Sequence, residues 1–312
     1  MCLLLPVAAK ARLLSLVSLA AMAWLCPPAL SKEVKLAAVG DVLLARGVGM
    51  AIRRHGASYP LAKVAPILRK ADLGFFNLEC PLSRRGTPTH YRFLFRADPG
   101  LAASLKKGGL NVASLANNHT LDYGRTALLD TISALQKAGV RTVGAGATRE
   151  AAIRPTVVNV KGLKVGFLAY SDIPNFGSFP RTDRPTPAHV HISTLSAEIR
   201  AAKSKADVLI VSFHWGNEYW KRPDERQKKL ARLAVKSGAD LILGHHPHVL
   251  QPTETYRGKP IVYSMGGFVW DPKLTEATKG AIYVFSLRKN SARLTDTIPI
   301  RVYRCRPTPA RQ

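Results

Sequence analysis

Acidic residues are scarce in this sequence: 20 Asp plus Glu stand against 46 Lys plus Arg, a formal net charge of +26 over 312 residues. Solubility alone calls for far less, so the imbalance favours polyanionic partners: nucleic acid, anionic lipid or an acidic polymer. Nucleic acid has only the charge in its favour. The chain contains neither an arginine–glycine tract nor zinc-finger spacing, so no dedicated nucleic-acid module is read. Cysteine is also sparse. Of four, Cys2 and Cys26 fall in the N-terminal segment, leaving Cys80 and Cys305. Outside the cytoplasm these two could pair and tie the C-terminal tail to the core; equally, Cys80 beside Glu79 could line a site. Internal repeats are absent. A single apolar run, Leu13 to Cys26, falls short of the roughly 20 residues that a membrane span needs.

That run follows Lys10 and Arg12 and precedes the small-x-small tripeptide Ala29-Leu30-Ser31, so residues 1 to 31 read as a signal peptide, with a retained N-terminal anchor as the alternative. Either way the chain is expected to cross the inner membrane and to be periplasmic or membrane-anchored. Leu25 before Cys26 makes a poor lipoprotein site. Residues 32 to 304 are expected to form one domain, with a basic, frayed tail over 305 to 312. The apolar fraction of 46% is that of a globular protein.

What is present is a succession of apolar runs, each ending in polar residues. Val34 to Val39 ends at Gly40-Asp41, where an aspartate serves either chemistry or a turn. Residues 58 to 70 read as a helix carrying Val64, Ile67 and Leu68. Asp72 to Phe76 ends at Asn77-Leu78-Glu79, whose alternate side chains share one side of the strand. Helix 101 to 110 leads to a strand over 111 to 116, then to Asn117-Asn118-His119 and Asp122, amides beside a histidine in a ligand-plus-acid arrangement. Helix 125 to 138 follows. Val143-Gly144-Ala145-Gly146 is too short and badly spaced for a dinucleotide fingerprint.

The second half opens with a strand over 164 to 170 and a Pro-, Gly- and Arg-rich loop over 172 to 190 that reads as a lid or binding loop. Helix 193 to 202 precedes the strongest strand, 206 to 213, which ends at His214-Trp215-Gly216-Asn217-Glu218-Tyr219. Helix 224 to 237 then leads to Leu241-Ile242-Leu243 and Gly244-His245-His246-Pro247-His248. With Gly244 turning the chain and Pro247 stiffening it, extended backbone would point His246 and His248 the same way. Two imidazoles so placed suit a divalent ion, the alternative being a pH-sensing loop. A strand and glycine turn over 260 to 268, then strands over 280 to 288 and 295 to 304, complete the pattern. Alternating strands and helices imply an α/β sheet flanked by helices. Five of the nine histidines fall at strand ends or beside them, and the ends of one sheet face one edge.

The ordered set Gly-Asp, Asn-x-Glu, Asn-Asn-His, His-Trp-Gly and Gly-x-His-Pro-His, followed by Tyr-Ser-x-Gly, resembles the CapA family of capsule or poly-gamma-glutamate synthesis proteins. These resemble in turn the calcineurin-like metallophosphoesterase superfamily. The likeness runs from about residue 34 to 286. It implies a four-layer α/β/β/α sandwich with divalent metal ions at the strand ends. Asp41, Glu79 and His248 would hold the first ion; Asn118, His214 and His246 would hold the second, with Glu79 bridging and His119 as proton donor. Two departures stand out. Leu43 occupies the histidine position of the superfamily's Asp-x-His motif, weakening the first metal site, and Gly267 stands where the CapA pattern usually has Asn.

The implied activity is metal-assisted hydrolysis of a phosphoester or of a bond in an anionic polymer. Arg46 and Arg92 or Arg96 are candidates for holding substrate charge. Trp215 and Tyr219 are candidate pocket walls or core residues. Glu218 is a candidate partner orienting His214, and Asn77, Asp122 and His245 complete the supporting set. The competing reading is a non-catalytic, polyanion-binding component of a membrane-bound polymer synthesis or export complex, favoured by the charge and by Leu43.

Overall fold

Strand β1 (Val34–Val42) is buried at every position but Lys35, the pattern of a strand covered on both faces. The computed structural model in which it sits describes residues 33–175, 184–272 and 275–310. The expected leader over 1 to 31 and residues 176–183 of the expected binding loop lie outside them. After β1 come α1 (Arg46–His55), α2 (Ala65–Leu68), β2 (Leu73–Leu78), α3 (Ala102–Lys107), β3 (Val112–Ser114), α4 (Gly124–Lys137) and β4 (Arg141–Val143). Then follow β5 (Ala145–Gly146), α5 (Arg149–Ala152), β6 (Thr156–Val160), β7 (Leu163–Ser171), β8 (Thr186–Pro187), α6 (Ile192–Lys203), β9 (Val208–His214), α7 (Glu225–Lys236) and β10 (Leu241–His245). The chain closes with β11 (Thr253–Tyr256), β12 (Lys259–Val262), β13 (Gly267–Val269), β14 (Lys279–Arg288), β15 (Ser291–Tyr303) and β16 (Arg306–Pro309).

Two sheets face each other. One runs β16-β15-β14-β1-β2-β3-β4, with β13 also paired to β1; the other runs β11-β12-β10-β9-β7-β6. Val34, Leu36 and Ala38 of β1 and Phe75 of β2 meet Val165, Phe167, Ile210 and Leu243 between them. Phe75 and Phe167 stack at 5.7 Å across that seam. The opposite faces carry helices: Ala37, Val39 and Phe76 pack with Leu105, Leu128 and Leu135, while Leu168, Leu209 and Val211 pack with Leu195, Ile199 and Leu230. Helix, sheet, sheet, helix is the expected four-layer α/β/β/α sandwich. Strands β1 to β4 are mutually parallel, as are β7, β9, β10 and β12, so each sheet presents a row of carboxyl ends. Asp41 pairs with Asn77 in one row, and His214 with His245 in the other.

Several elements differ from the sequence reading. Residues 58 to 70 form a 3-10 turn (Tyr59–Leu61) and the four-residue α2, because Pro60 and Pro66 cannot donate to a continuous helix. The tail is ordered through Pro309, since β16 adds to the edge at β15 and Val302 pairs with Pro307. The strand and glycine turn expected over 260 to 268 are two strands in different sheets: β12 ends at Val262, and the chain crosses through Tyr263 to Gly266 into β13, which begins at the glycine expected to turn. Helix α1 and strands β6 and β11 have no counterpart in the sequence reading.

Candidate functional site

Gly40 sets the position of Asp41. A β-carbon at residue 40 would overlap the Gly266 carbonyl oxygen, which instead accepts the Asp41 N–H at 3.1 Å. Asp41, Asn77 and Glu79 are fully buried. Asn77 Nδ2 donates to Asp41 Oδ1 at 2.9 Å and reaches Glu79 Oε2 at 3.4 Å, so one amide holds two carboxyl groups. Asn117 Nδ2 donates in turn to Asn77 Oδ1 at 3.0 Å and to the Leu78 carbonyl at 2.8 Å. From the second sheet, His248 Nδ1 lies 2.9 Å from Asp41 Oδ2 and His245 Nδ1 lies 3.3 Å from Asp41 Oδ1. His214 Nε2 meets Asn118 Oδ1 at 2.8 Å.

The histidine loop reaches this arrangement by a different route from the extended one expected. Gly244 lies within β10, where a side chain would overlap the Tyr263 carbonyl. The turn is made by His246 and His248, both left-handed at φ 93° and 57°. Such backbone is costly for a residue with a β-carbon and persists where surrounding packing imposes it, commonly at functional sites. The rings of His246 and His248 end 5.7 Å apart, and Trp270 stacks on His248 at 4.2 Å.

Ligand-capable atoms gather into two groups, Glu79 with His246 and His248, and Asp41 with Glu79 and His214, each within a 4.8 Å span. Glu79 belongs to both. The groups cross the pairing implied by the resemblance, which put His248 with Asp41 and His246 with His214; the Asp41–His248 and His214–Asn118 contacts retain that pairing. Leu43 is wholly buried in the apolar core and belongs to neither ligand group.

Do these residues fit a divalent ion? Glu79 Oε1 is buried without a hydrogen-bond partner, 3.7 Å from His248 Nε2 and 3.9 Å from His214 Nε2. Burial, and then the Asp41 charge, push the Glu79 carboxyl well above its usual range. Burial also tends to raise Asp41, but the His245 and His248 imidazoles set against it hold it well below the usual carboxylate range. His214 is depressed by burial and by His246, and burial with the nearby His248 brings His246 down to about 3. Neutral imidazoles around a buried carboxyl group that lacks a counter-charge are a donor set that a divalent cation satisfies. They fit.

At the edge of this cluster His119 Nδ1 lies 2.9 Å from Asp122 Oδ2, which also accepts the Phe95 N–H at 2.7 Å. That contact anchors one ring nitrogen and leaves Nε2 for a substrate. His119, Asn118 and His248 line a cleft of about 250 Å³ with Arg46, Phe95, Tyr219 and Trp270. Arg46 stacks over Phe95 at 5.6 Å, its Nε 3.4 Å from Asp271.

Other candidates fall elsewhere. Arg92 lies on Phe93 and does not line the cleft. Arg96 lies over Tyr123. Glu218 is exposed at the cleft mouth, while His214 Nδ1 faces Asn77 Nδ2 at 3.4 Å, so Asn77 takes the neighbouring position assigned to Glu218. Trp215 is core: fully buried, stacked on Phe213 and donating to the Tyr263 carbonyl at 2.9 Å. Cys80 and Cys305 are both free, and Cys80 packs in the apolar core rather than lining the cleft. Asn175, Phe95 and Trp270 are absent from the sequence reading, which holds Asn117 only as part of the Asn-Asn-His run. Asn175 Nδ2 donates to the Asn118 carbonyl at 2.7 Å, fixing the backbone of that ligand candidate. Only Asn117, in the Asn-Asn-His run, carried a local signal.

The family model described as bacterial capsule synthesis protein PGA_cap matches residues 35–272. The capsule biosynthesis protein CapA of Bacillus anthracis is 32% identical over 287 residues, covering 89% of this chain and 70% of that one. The PGA biosynthesis protein CapA of Bacillus subtilis (strain 168) is 31% identical, covering 88% and 73%. Among solved structures, a hypothetical protein from Thermus thermophilus superposes with a TM-score of 0.51 at 16% identity, covering 85% of this chain and 97% of that one.

Proposed function

Because this chain belongs to the bacterial capsule synthesis protein family PGA_cap, we propose that it is an extracytoplasmic, divalent-metal-dependent hydrolase acting on a phosphoester, or on a bond within an anionic polymer, during capsule or poly-gamma-glutamate synthesis. One observation carries the catalytic reading. Glu79, whose Oε1 is buried and without a hydrogen-bond partner, is shared by two groups of ligand-capable side chains at the joint edge of two sheets.

Asp41, Glu79, Asn118, His214, His246 and His248 would hold the ions. Two divalent ions there would supply Lewis acidity toward an anionic substrate and acidify water for attack. Asn77 and Asn117 orient the carboxyl groups, and His245 holds Asp41 ionised. His119, tethered by Asp122, gives a proton from Nε2 to the leaving oxygen. Arg46 holds substrate charge from the cleft wall. Purified protein supplied with manganese, zinc or iron should hydrolyse a generic phosphodiester. No turnover with any of the three, alongside tight polymer binding, would refute catalysis.

One observation favours a second reading. Leu43 is sealed in the core where the superfamily has a ligand, as a site retained for structure rather than turnover would allow. A polyanion-binding component of a synthesis complex would bind poly-gamma-glutamate with steep salt dependence and without hydrolysis.

A further inference from the structure

The large side chains left exposed among the described residues include five aromatics. Three of them, Tyr91, Phe93 and Tyr219, line one cleft, and Trp220 follows Tyr219 directly in the chain. Phe93 is 47% and Trp220 56% exposed, a solvation cost that the fold alone does not require. Two loops present these rings. In the first, His90, Tyr91, Arg92 and Phe93 come in succession, the Arg92 guanidinium 5.3 Å from the Phe93 ring centroid. In the second, Tyr219, Trp220, Lys221 and Arg222 come in succession. This second loop is tied down by its backbone: the Tyr219 N–H donates to the Pro247 carbonyl at 2.8 Å, and Gln251 Nε2 donates to the Trp220 carbonyl at 2.8 Å. A fixed main chain therefore holds Trp220 out at the surface, with the Tyr219 ring beside it at the cleft wall, 6.1 Å from the His248 ring. Met50, 61% exposed and one helical turn beyond Arg46 on α1, extends the same face.

Acid is present but subordinate. Glu218 lies in the second loop, Asp271 is engaged with Arg46, and Glu276 approaches Lys221 at 3.8 Å.

We infer that the cleft mouth docks on an anionic bilayer surface, with the aromatic rings in the headgroup region and Arg92, Lys221 and Arg222 against the lipid charge, so that the cleft opens onto the membrane. Trp, Tyr and Phe beside cations suit this interface, where an amphipathic ring has an apolar side and a wet side. Each cation near such a surface adds to the attraction. A soluble acidic polymer would engage the cations alone and leaves the exposed rings without a role. The inference is independent of whether the cleft hydrolyses anything.

Hydrogen–deuterium exchange of the full chain tests it and localises the contact. Vesicles of phosphatidylcholine with phosphatidylglycerol should slow exchange over residues 89–95 and 217–222, and pure phosphatidylcholine vesicles should not. Phe93→Ser with Trp220→Ser should abolish that protection, with exchange in β1 and β9 unchanged as the check on folding. Should that pair misfold, Arg92→Glu with Arg222→Glu changes only exposed charges and should abolish it too. Residues 1 to 32 are present in every protein, so membrane binding through them cancels in the comparison. Vesicle-bound protein with neither loop protected, failure to bind anionic vesicles, or equal protection by soluble polyglutamate would each overturn the inference.

Discussion

Replacing Glu79 by glutamine should change the sign of its effect on stability when a divalent metal is added. Without metal, the wild-type side chain places one buried carboxyl oxygen with no hydrogen-bond partner and sits beside the Asp41 charge. A buried polar group left unsatisfied costs about 1–3 kcal/mol, and glutamine also removes the cost of taking up a proton on folding that a raised carboxyl carries at neutral pH. The variant should therefore unfold in urea at the same concentration as the wild type or a higher one, a gain of up to about 1 kcal/mol. With manganese at about a hundred times its dissociation constant, a ligand that binds only the folded state adds about 2.7 kcal/mol to the wild type. Glutamine removes the shared charge from both ligand groups and should forfeit most of that gain. The assay is equilibrium unfolding of both proteins with chelator and with manganese. A variant destabilised in chelator, or one that gains from manganese as much as the wild type does, would refute the reasoning.

Asn77→Ala should weaken metal binding roughly 10–100-fold by calorimetry, because its amide orients Asp41 and Glu79 together. His119→Ala should lower turnover by about 10²–10⁴-fold while leaving metal stoichiometry intact, since His119 is in neither ligand group; lost stoichiometry would move it into the ligand set. Thiol labelling of the native protein should modify Cys305 well before Cys80. Cys80 is 1% exposed, its thiol is pushed up to about 12 by burial, and both thiols should label after unfolding. Equal rates in the native protein would show that the core around Cys80 opens.

The site was legible in the sequence to the extent that it is built from strand ends. Parallel strands deliver their carboxyl ends to one edge, so Asp41, Asn77, Asn118, His214 and the histidine loop could be gathered from the order of apolar runs alone. What the chain achieves by distant contact was not legible. Helix α1 buries only Val48, and its start has no local capping side chain; Asp271, far along the sequence, accepts the Gly47 N–H instead. The left-handed backbone at His246 and His248 is held by distant partners, Asp41 Oδ2 accepting the His246 N–H at 3.4 Å and the Gly267 N–H donating to the His248 carbonyl at 3.2 Å, not by their own preferences. Trp270 and Asn175 carry no motif, and reach the site only because the chain crosses between sheets after β12 and because the segment after β7 folds back on Asn118. The interrupted helix at 58 to 70 was readable in Pro60 and Pro66 but was outweighed by its apolar spacing.

Crystals grown with manganese and measured at a wavelength that makes the ion visible provide the most direct measurement. Anomalous peaks should lie within coordinating distance of Glu79, one against His246 and His248 and one against Asp41 and His214. No peak at the joint sheet edge, or a peak that leaves Glu79 untouched, would contradict the metal-centred reading.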